Sequence, residues 1–337
     1  MPRHNVVRFR IGGNASGASF YENMIEKAIT DNNTLFVKFG TFKPEKKSWH
    51  LFRIVTYLAF WFHAHAKLWF SDISVAIVSP GCMLFLPKKT KVICIIHHYD
   101  PTPFRGLRQL YAKLAYCLVK HQKERIDCVI TGAKVWKRFF ERQGFKKVLI
   151  IQSAFYVDEM LRVVKDGGGK KLLKQHNLAT DRYIYLGTFN PSKGQNLTAQ
   201  EISDLGYTLV ATNPRANTKV SCGQVKVISA SFAEYNHLLK NARLAIAMST
   251  FKEGWCRVLH EAAIHGTPIL GSGLGGMREL LKLSMTRPSS FKSLRGDVIE
   301  RLSQPKLSDE IIKNFTGFTS EKFKKEWLKV ISDYVDE

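Results

Sequence analysis

The sequence predicts an α/β protein built as two halves, each a parallel sheet covered by helices. Three observations predict it. Short apolar runs alternate with amphipathic stretches along the chain, the pattern of strand–helix–strand crossovers. Val92 to Ile96 is apolar at every position, as a central parallel strand covered on both faces requires. The alternation then breaks at Asp166-Gly167-Gly168-Gly169-Lys170, which reads as a linker or mobile loop, and restarts at Tyr183. A length of 337 residues suits two domains, each with its own core.

In the first half, Asn5 to Phe9 predicts a strand. It runs into a turn holding Gly12 and Gly13, and a helix follows from about Ala18 to Thr30. A strand, a glycine turn and a helix bring backbone N–H groups to a point where a phosphate can approach. The same residues also read as a plain tight turn, and the full G-x-G-x-x-G fingerprint is missing. Leu35 to Phe39 is the second strand. A long apolar stretch from Trp49 to Trp69 carries no Asp, Glu, Lys or Arg between Arg53 and Lys67. That gap is shorter than the roughly 20 residues of a membrane span. It reads either as a core helix or as an aromatic helix lying in a membrane interface.

Val75 to Val78 is the next strand, and Val92 to Ile96 ends in His97-His98-Tyr99-Asp100. Open α/β sheets bind ligands beyond the carboxyl ends of their strands. Adjacent strand residues point oppositely, so one of the two histidines faces such a ligand. Phe104 to Glu124 predicts an amphipathic helix with Leu107, Leu110, Leu114 and Leu118 toward the core. Cys128 to Thr131 is a strand, Val135 to Gln143 a basic helix, and Val148 to Ile151 the last strand of this half.

In the second half, Tyr183 to Leu186 leads into Gly187-Thr188-Phe189-Asn190-Pro191-Ser192-Lys193-Gly194. Strands at Tyr207 to Val210, Val225 to Ile228 and Leu244 to Ala247 alternate with helices. The chain closes on a helix from about Ser320 to Val335, with Phe323, Trp327, Val330, Ile331 and Tyr334 at helical spacing.

The most informative stretch is Ala247 to Leu280, AMSTFKEGWCRVLHEAAIHGTPILGSGLGGMREL. Glu253 and Gly254 stand where a helix is expected to begin, which suits a carboxylate at the positive end of the helix dipole. Trp255 to Ile264 carries an apolar face, Gly266 and Pro268 end the helix, and Gly271 to Gly276 open the next turn. Seven residues separate Glu253 from Glu261, which places the second carboxylate about two turns inside that helix. Two helical glutamates alone are ordinary surface residues. Their whole context resembles the signature of glycosyltransferase family 4.

That resemblance implies a GT-B fold, with two Rossmann-like domains facing across a cleft. The domains would be residues 1–165 on the acceptor side and 170–317 on the nucleotide-sugar side, with a C-terminal helix, 318–337, crossing back onto the first. It implies that Glu253 addresses the donor sugar and Glu261 the ribose, with Gly254 and Trp255 beside them. It implies that the Gly187–Gly194 loop holds the diphosphate through Lys193. Thr188 stands where the family commonly has an arginine, a departure that bears on how the leaving-group charge is shared. The first-half loop with Gly12 and Gly13 would face the donor phosphates. His97 matches a family histidine near donor sugar and acceptor, with His98 and Asp100 as cleft residues. The implied reaction is transfer of a hexose-type sugar, with retention, from a GDP- or UDP-sugar to a hydroxyl of a glycan or lipid-linked glycan. No metal or other cofactor is implied, and no Asp-x-Asp occurs to hold a metal–diphosphate pair.

The charge narrows the partners. With 51 basic and 28 acidic residues the formal net charge is +23, which favours an anionic partner. A phosphorylated substrate or an anionic membrane surface fits this excess. So does nucleic acid, but no recognised nucleic-acid motif occurs, and none is expected as a partner. Another sugar-nucleotide-using Rossmann enzyme remains a competing class, opposed by the incomplete glycine fingerprint. The six cysteines form no C-x-x-C pair and read as reduced packing residues. The N-terminal segment reads as too polar for a signal peptide, so the expected location is cytoplasmic, with peripheral association at a membrane.

Overall fold

The computed structural model describes residues 6–9, 17–30, 37–38, 62, 66, 74–80, 89–102, 106–213 and 224–335. Gly12, Gly13 and nearly all of the expected 49–69 helix lie outside them. The described residues divide into two compact units, Met1–Ala154 with Ser320–Glu337, and Phe155–Thr319.

The first unit is a parallel sheet of β1 (Val6–Phe9), β2 (Val37–Lys38), β3 (Val75–Val78), β4 (Lys91–Ile95), β5 (Cys128–Thr131) and β6 (Val148–Ile150). Its order is β2-β1-β3-β4-β5-β6. β3 and β5 are buried along their whole length and β4 beyond its first residue, as their unbroken apolar runs require. Helix α1 (Gly17–Thr30) packs against the last helix of the chain, Ser320–Val335. That helix belongs to this unit and buries Phe323, Trp327, Val330, Ile331 and Tyr334. Tyr21 of α1 lies edge-on to Phe323 at 5.0 Å and donates its hydroxyl to the Ile151 carbonyl.

Helix α2 (Leu107–His121) departs from the expected leucine stripe. Leu110 and Leu114 are 53% and 55% exposed and Leu118 is half-buried, while among the described side chains Ala115, Tyr116 and Val119 are buried; that of Leu107 lies outside the described ones. Two apolar stripes compete on this helix. The Tyr116 ring decides the choice by stacking on Tyr99, with centroids 3.5 Å apart. Helix α3 (Lys134–Arg142) buries Trp136 and Phe140 and turns its basic residues outward.

The second unit begins with α4 (Val157–Lys165) and α5 (Lys170–Gln175). The boundary therefore falls between Ala154 and Phe155, earlier than the expected break at 165–170. The glycine run is a turn between α4 and α5, not a linker. Gly169 lies against α7 (Phe232–Asn241), where a Cβ would sit 2.2 Å from that of His237. Only glycine permits that approach. Sheet order here is β11-β10-β7-β8-β9, all parallel, with β7 (Tyr183–Thr188) central. Its neighbours are β8 (Thr208–Thr212), β9 (Val225–Ile228), β10 (Leu244–Ala247) and β11 (Ile269–Gly271). Helices α6 (Gln195–Ile202), α8 (Arg257–Ile264), α9 (Met277–Leu283), α10 (Leu294–Ser303) and α11 (Asp309–Thr316) complete the unit. Ile184, Leu186, Leu209, Leu244, Ile246, Leu270, Leu294 and Val298 meet in its core. The stretch that enters this unit pairs with the one that leaves it: Phe155 N–H donates to the Phe318 carbonyl at 2.9 Å.

Candidate functional site

From β7 the chain moves outward to β8 and β9, then returns to the other side of β7 as β10. The sheet's switch point is therefore between β7 and β10. Ligands of open α/β sheets bind just beyond the carboxyl ends of the two strands flanking such a point. The loops there are 189–194 and 248–256, and they hold Lys193 and Glu253.

The first loop is fixed by Gln195. Its buried amide donates to the carbonyls of Leu186 at 2.9 Å and Thr188 at 2.8 Å, and accepts from Asn190 N–H at 2.9 Å. This side chain takes over where the β7–β8 register shifts, between Tyr185 and Thr188. Gly187 and Thr188 end β7, and the Thr188 side chain is exposed. Asn190 caps a short turn, Pro191–Lys193, by accepting from Ser192 N–H.

The second loop is tied to the first, since Thr250 donates its hydroxyl to the Ser192 carbonyl at 3.0 Å. It is also clipped to the loop after β11. Glu253 bridges Gly275 in parallel, and Gly276 N–H donates to the Glu253 carbonyl at 2.8 Å. Gly275 has φ +67°, and a Cβ there would lie 2.3 Å from that carbonyl oxygen. Because the Glu253 backbone is held in this bridge, the helix begins later than expected, at Arg257. Glu253 stands in a loop four residues before α8 and not at the helix mouth.

Lys193 and Glu253 meet. Lys193 Nζ donates to Glu253 Oε1 at 2.5 Å, and Ser249 donates its hydroxyl to the same oxygen. Glu253 is 5% exposed, so its charge needs these partners. Burial, the largest single influence, works to lower the Lys193 pKa, but the Glu253 charge, the neighbouring Cys256 and the hydrogen bond to Glu253 together outweigh it, and the ammonium is held above its ordinary value. Lys193 also lies 5.1 Å from the centre of the Phe251 ring.

Glu261 projects from α8 and is held on both oxygens. Arg257, one turn earlier, donates to Oε1 at 2.9 Å, and Tyr235 of α7 donates to Oε2 at 2.5 Å. Helix α7 is set by a capping box in which Ser231 and Glu234 satisfy each other's backbone N–H groups. The Tyr235 phenol is pushed well above its usual pKa by burial and by the Glu261 charge. It therefore stays a donor. Arg257 also stacks on Phe155 at 4.2 Å.

The Trp255 indole turns inward, where its N–H donates to His260 Nδ1 at 3.1 Å and its ring packs on Phe318. Gly254 is buried beside it. His97, His98 and Asp100 follow β4 in the first unit, whereas Lys193, Glu253 and Glu261 belong to the second. His97 is half-buried and edge-on to Tyr21 at 4.6 Å. His98 lies 6.3 Å from Trp136, and Asp100 Oδ1 accepts from Thr102 N–H at 3.0 Å.

Four residues of this site escaped the sequence reading. Gln195, Ser249 and Tyr235 carry no local signal, since their partners lie far along the chain or in loops of no regular period. Arg257 sits four residues before Glu261 on one helix face, a spacing that could have marked it.

No protein-family profile matches the chain, and no curated protein matches its sequence. Solved structures do. Sucrose-phosphate synthase from Thermosynechococcus elongatus superposes with a TM-score of 0.72 at 14% identity, covering 98% of this chain and 99% of that one. An α,α-trehalose-phosphate synthase (UDP-forming) from Burkholderia vietnamiensis gives 0.70 at 12% identity, covering both chains fully. HepE of Anabaena, solved with UDP and glucose, gives 0.69 at 14% identity, covering 98% of this chain and all of that one. At such identities the likeness is one of fold, and the chain has the two-domain α/β fold of the GT-B glycosyltransferases.

Proposed function

We propose that this chain is a family 4-type retaining glycosyltransferase that moves a hexose-type sugar from a UDP- or GDP-sugar to an acceptor hydroxyl. The observation that carries the reading is the meeting of Lys193 and Glu253 at the switch point of the second sheet. A cation and a carboxylate, both on backbone-fixed loops, suit a ligand with an anionic end and a hydroxylated end. Lys193 is the cation for the diphosphate, with N–H groups of the 187–194 loop beside it. Glu253 accepts from sugar hydroxyls. Glu261, oriented by Arg257 and Tyr235, accepts from the ribose hydroxyls. No metal is needed in this scheme.

In the reaction the bond between the anomeric carbon and the diphosphate oxygen breaks, and the electron pair leaves with the diphosphate. The acceptor oxygen forms its bond on the same face, and its proton passes to the departing diphosphate oxygen. Glu253 orients the sugar near the developing positive charge and is not the base. His97, with His98 and Asp100, would serve the acceptor from the first unit. Gly12 and Gly13 would serve the donor phosphates. The acceptor is read as a glycan or lipid-linked glycan. Work at a cytoplasmic, anionic membrane surface fits the exposed Leu110 and Leu114 beside exposed Lys113 and Lys120.

The test is a thermal-shift screen against UDP- and GDP-sugars, followed by transfer assays with the donor that stabilises. A ligand bound only by the native state raises the melting temperature. Lys193→Ala should then lower nucleoside-diphosphate affinity by about 10- to 100-fold, the size of a charge-assisted contact. No stabilisation by any sugar nucleotide rejects the reading.

A further inference from the structure

The two charged groups that would address opposite ends of the donor are bonded to each other. Lys193 Nζ and Glu253 Oε1 are 2.5 Å apart, and Glu253 is buried. Both groups stand on loops whose backbones are held in place. Glu253 is pinned through its backbone to Leu274 and Gly276, and the Lys193 loop is pinned through Ser192 to Thr250. Any diphosphate reaching Lys193 therefore brings negative charge close to a buried carboxylate that already holds the same ammonium. Like charges at such range repel strongly where water is scarce.

We infer that Glu253 competes with the diphosphate for Lys193, and so drives the spent nucleotide out once the sugar has gone. The inference rests on the reading of Lys193 as the diphosphate cation. With the intact donor, sugar hydroxyls donate to the Glu253 carboxylate and offset the repulsion. After transfer those hydroxyls leave with the acceptor. The carboxylate then faces a diphosphate with no sugar between them, and the Lys193–Glu253 pair re-forms as the nucleotide departs. One residue thus favours the loaded donor over its by-product.

The experiment is calorimetric titration of UDP, GDP, uridine and guanosine into wild type, Glu253→Gln, Glu253→Ala and Lys193→Ala, with melting curves as the folding control. Removing the Glu253 charge should tighten UDP or GDP by about tenfold, the effect of deleting one nearby like charge. Glu253→Ala should tighten it too, which covers the case in which Gln misfolds. The nucleosides, having no phosphate, should bind all four proteins alike. If Lys193→Ala weakens the nucleotide while both Glu253 variants leave it unchanged or weaker, the competition is refuted and the Lys193 reading stands. If wild type binds neither UDP nor GDP, both fall. Equal tightening of nucleosides overturns the charge argument.

Discussion

The indole N–H of Trp255 donates to Nδ1 of His260, 3.1 Å away, and this fixes the histidine's tautomer. Nδ1 must be the acceptor, so Nε2 carries the proton and donates to the Phe315 carbonyl at 3.0 Å. A second proton on Nδ1 would point at the indole N–H. The ring is also stacked on Phe155 at 4.0 Å and enclosed by Phe315 and Phe318.

A pH dependence of stability follows. Burial, the largest cause, holds His260 at about 3 and His265 also at about 3, against an ordinary 6.5. Above 6.5 both are neutral whether folded or unfolded. Between 6.5 and about 3 the unfolded chain takes up protons that the folded chain refuses, so stability falls as pH falls. At pH 5 each costs on the order of 2 kcal/mol, a large share of a stability of about 5–15 kcal/mol. Urea unfolding at pH 8 and pH 5 measures it, and equal stabilities at the two values would contradict the buried neutral state.

Tyr235→Phe removes the hydrogen bond to Glu261 Oε2 and leaves the ring against Tyr185. A carboxylate that orients ribose acts in the ground and transition states alike. The donor KM should rise roughly tenfold with kcat nearly unchanged. Discrimination against a 2′-deoxy donor should shrink. A fall in kcat with KM constant would place Glu261 at the reacting sugar instead.

Gly275→Ala should be among the most damaging small changes in the second unit. The new methyl meets the Glu253 carbonyl, and the backbone there is left-handed. The clip between the two loops must open or shift, at a cost of about 1–3 kcal/mol. Both a lower melting temperature and lost nucleotide binding are expected. Full donor affinity in this variant would show that the clip does not set the position of Glu253.

The exposed leucines of α2 give a membrane test. Flotation with phosphatidylserine-containing vesicles should exceed that with neutral ones and fall with salt. Leu110→Ser with Leu114→Ser should weaken it by about tenfold, since both apolar side chains are lost from the contact. They are exposed, so the melting temperature should hold. Binding unaffected by these changes would move the contact elsewhere.

What the sequence made legible is what local patterning controls. The final helix spans Ser320–Val335 because five large apolar residues recur at helical spacing with no break between them. The strands from Val75 and Val92 stand out because both faces are covered. What stayed hidden depends on partners far along the chain. The helix after Glu253 starts late because Leu274 and Gly276 hold the Glu253 backbone. The leucine stripe of α2 gives way to Tyr116 because of a ring on the β4 loop. The Gly167–Gly169 run looked like a linker because the helix pressed against it lies some seventy residues on. Strand order is invisible to periodicity, so the switch point that brings Lys193 to Glu253 could be found only in the fold. Lys193 and Glu253 themselves were singled out by the family resemblance, and the fold brings the two side chains together.

The pairing of Phe155 with Phe318 and Thr319 has a topological consequence. The second unit is an insertion into the first, and its two ends lie side by side. Each unit has its own sheet and core, the organisation expected of pieces that fold alone. Residues 155–319 should therefore be expressible as a free-standing piece that retains the Lys193 and Glu253 loops. The first unit should close over the gap with a short peptide joining residue 154 to residue 320.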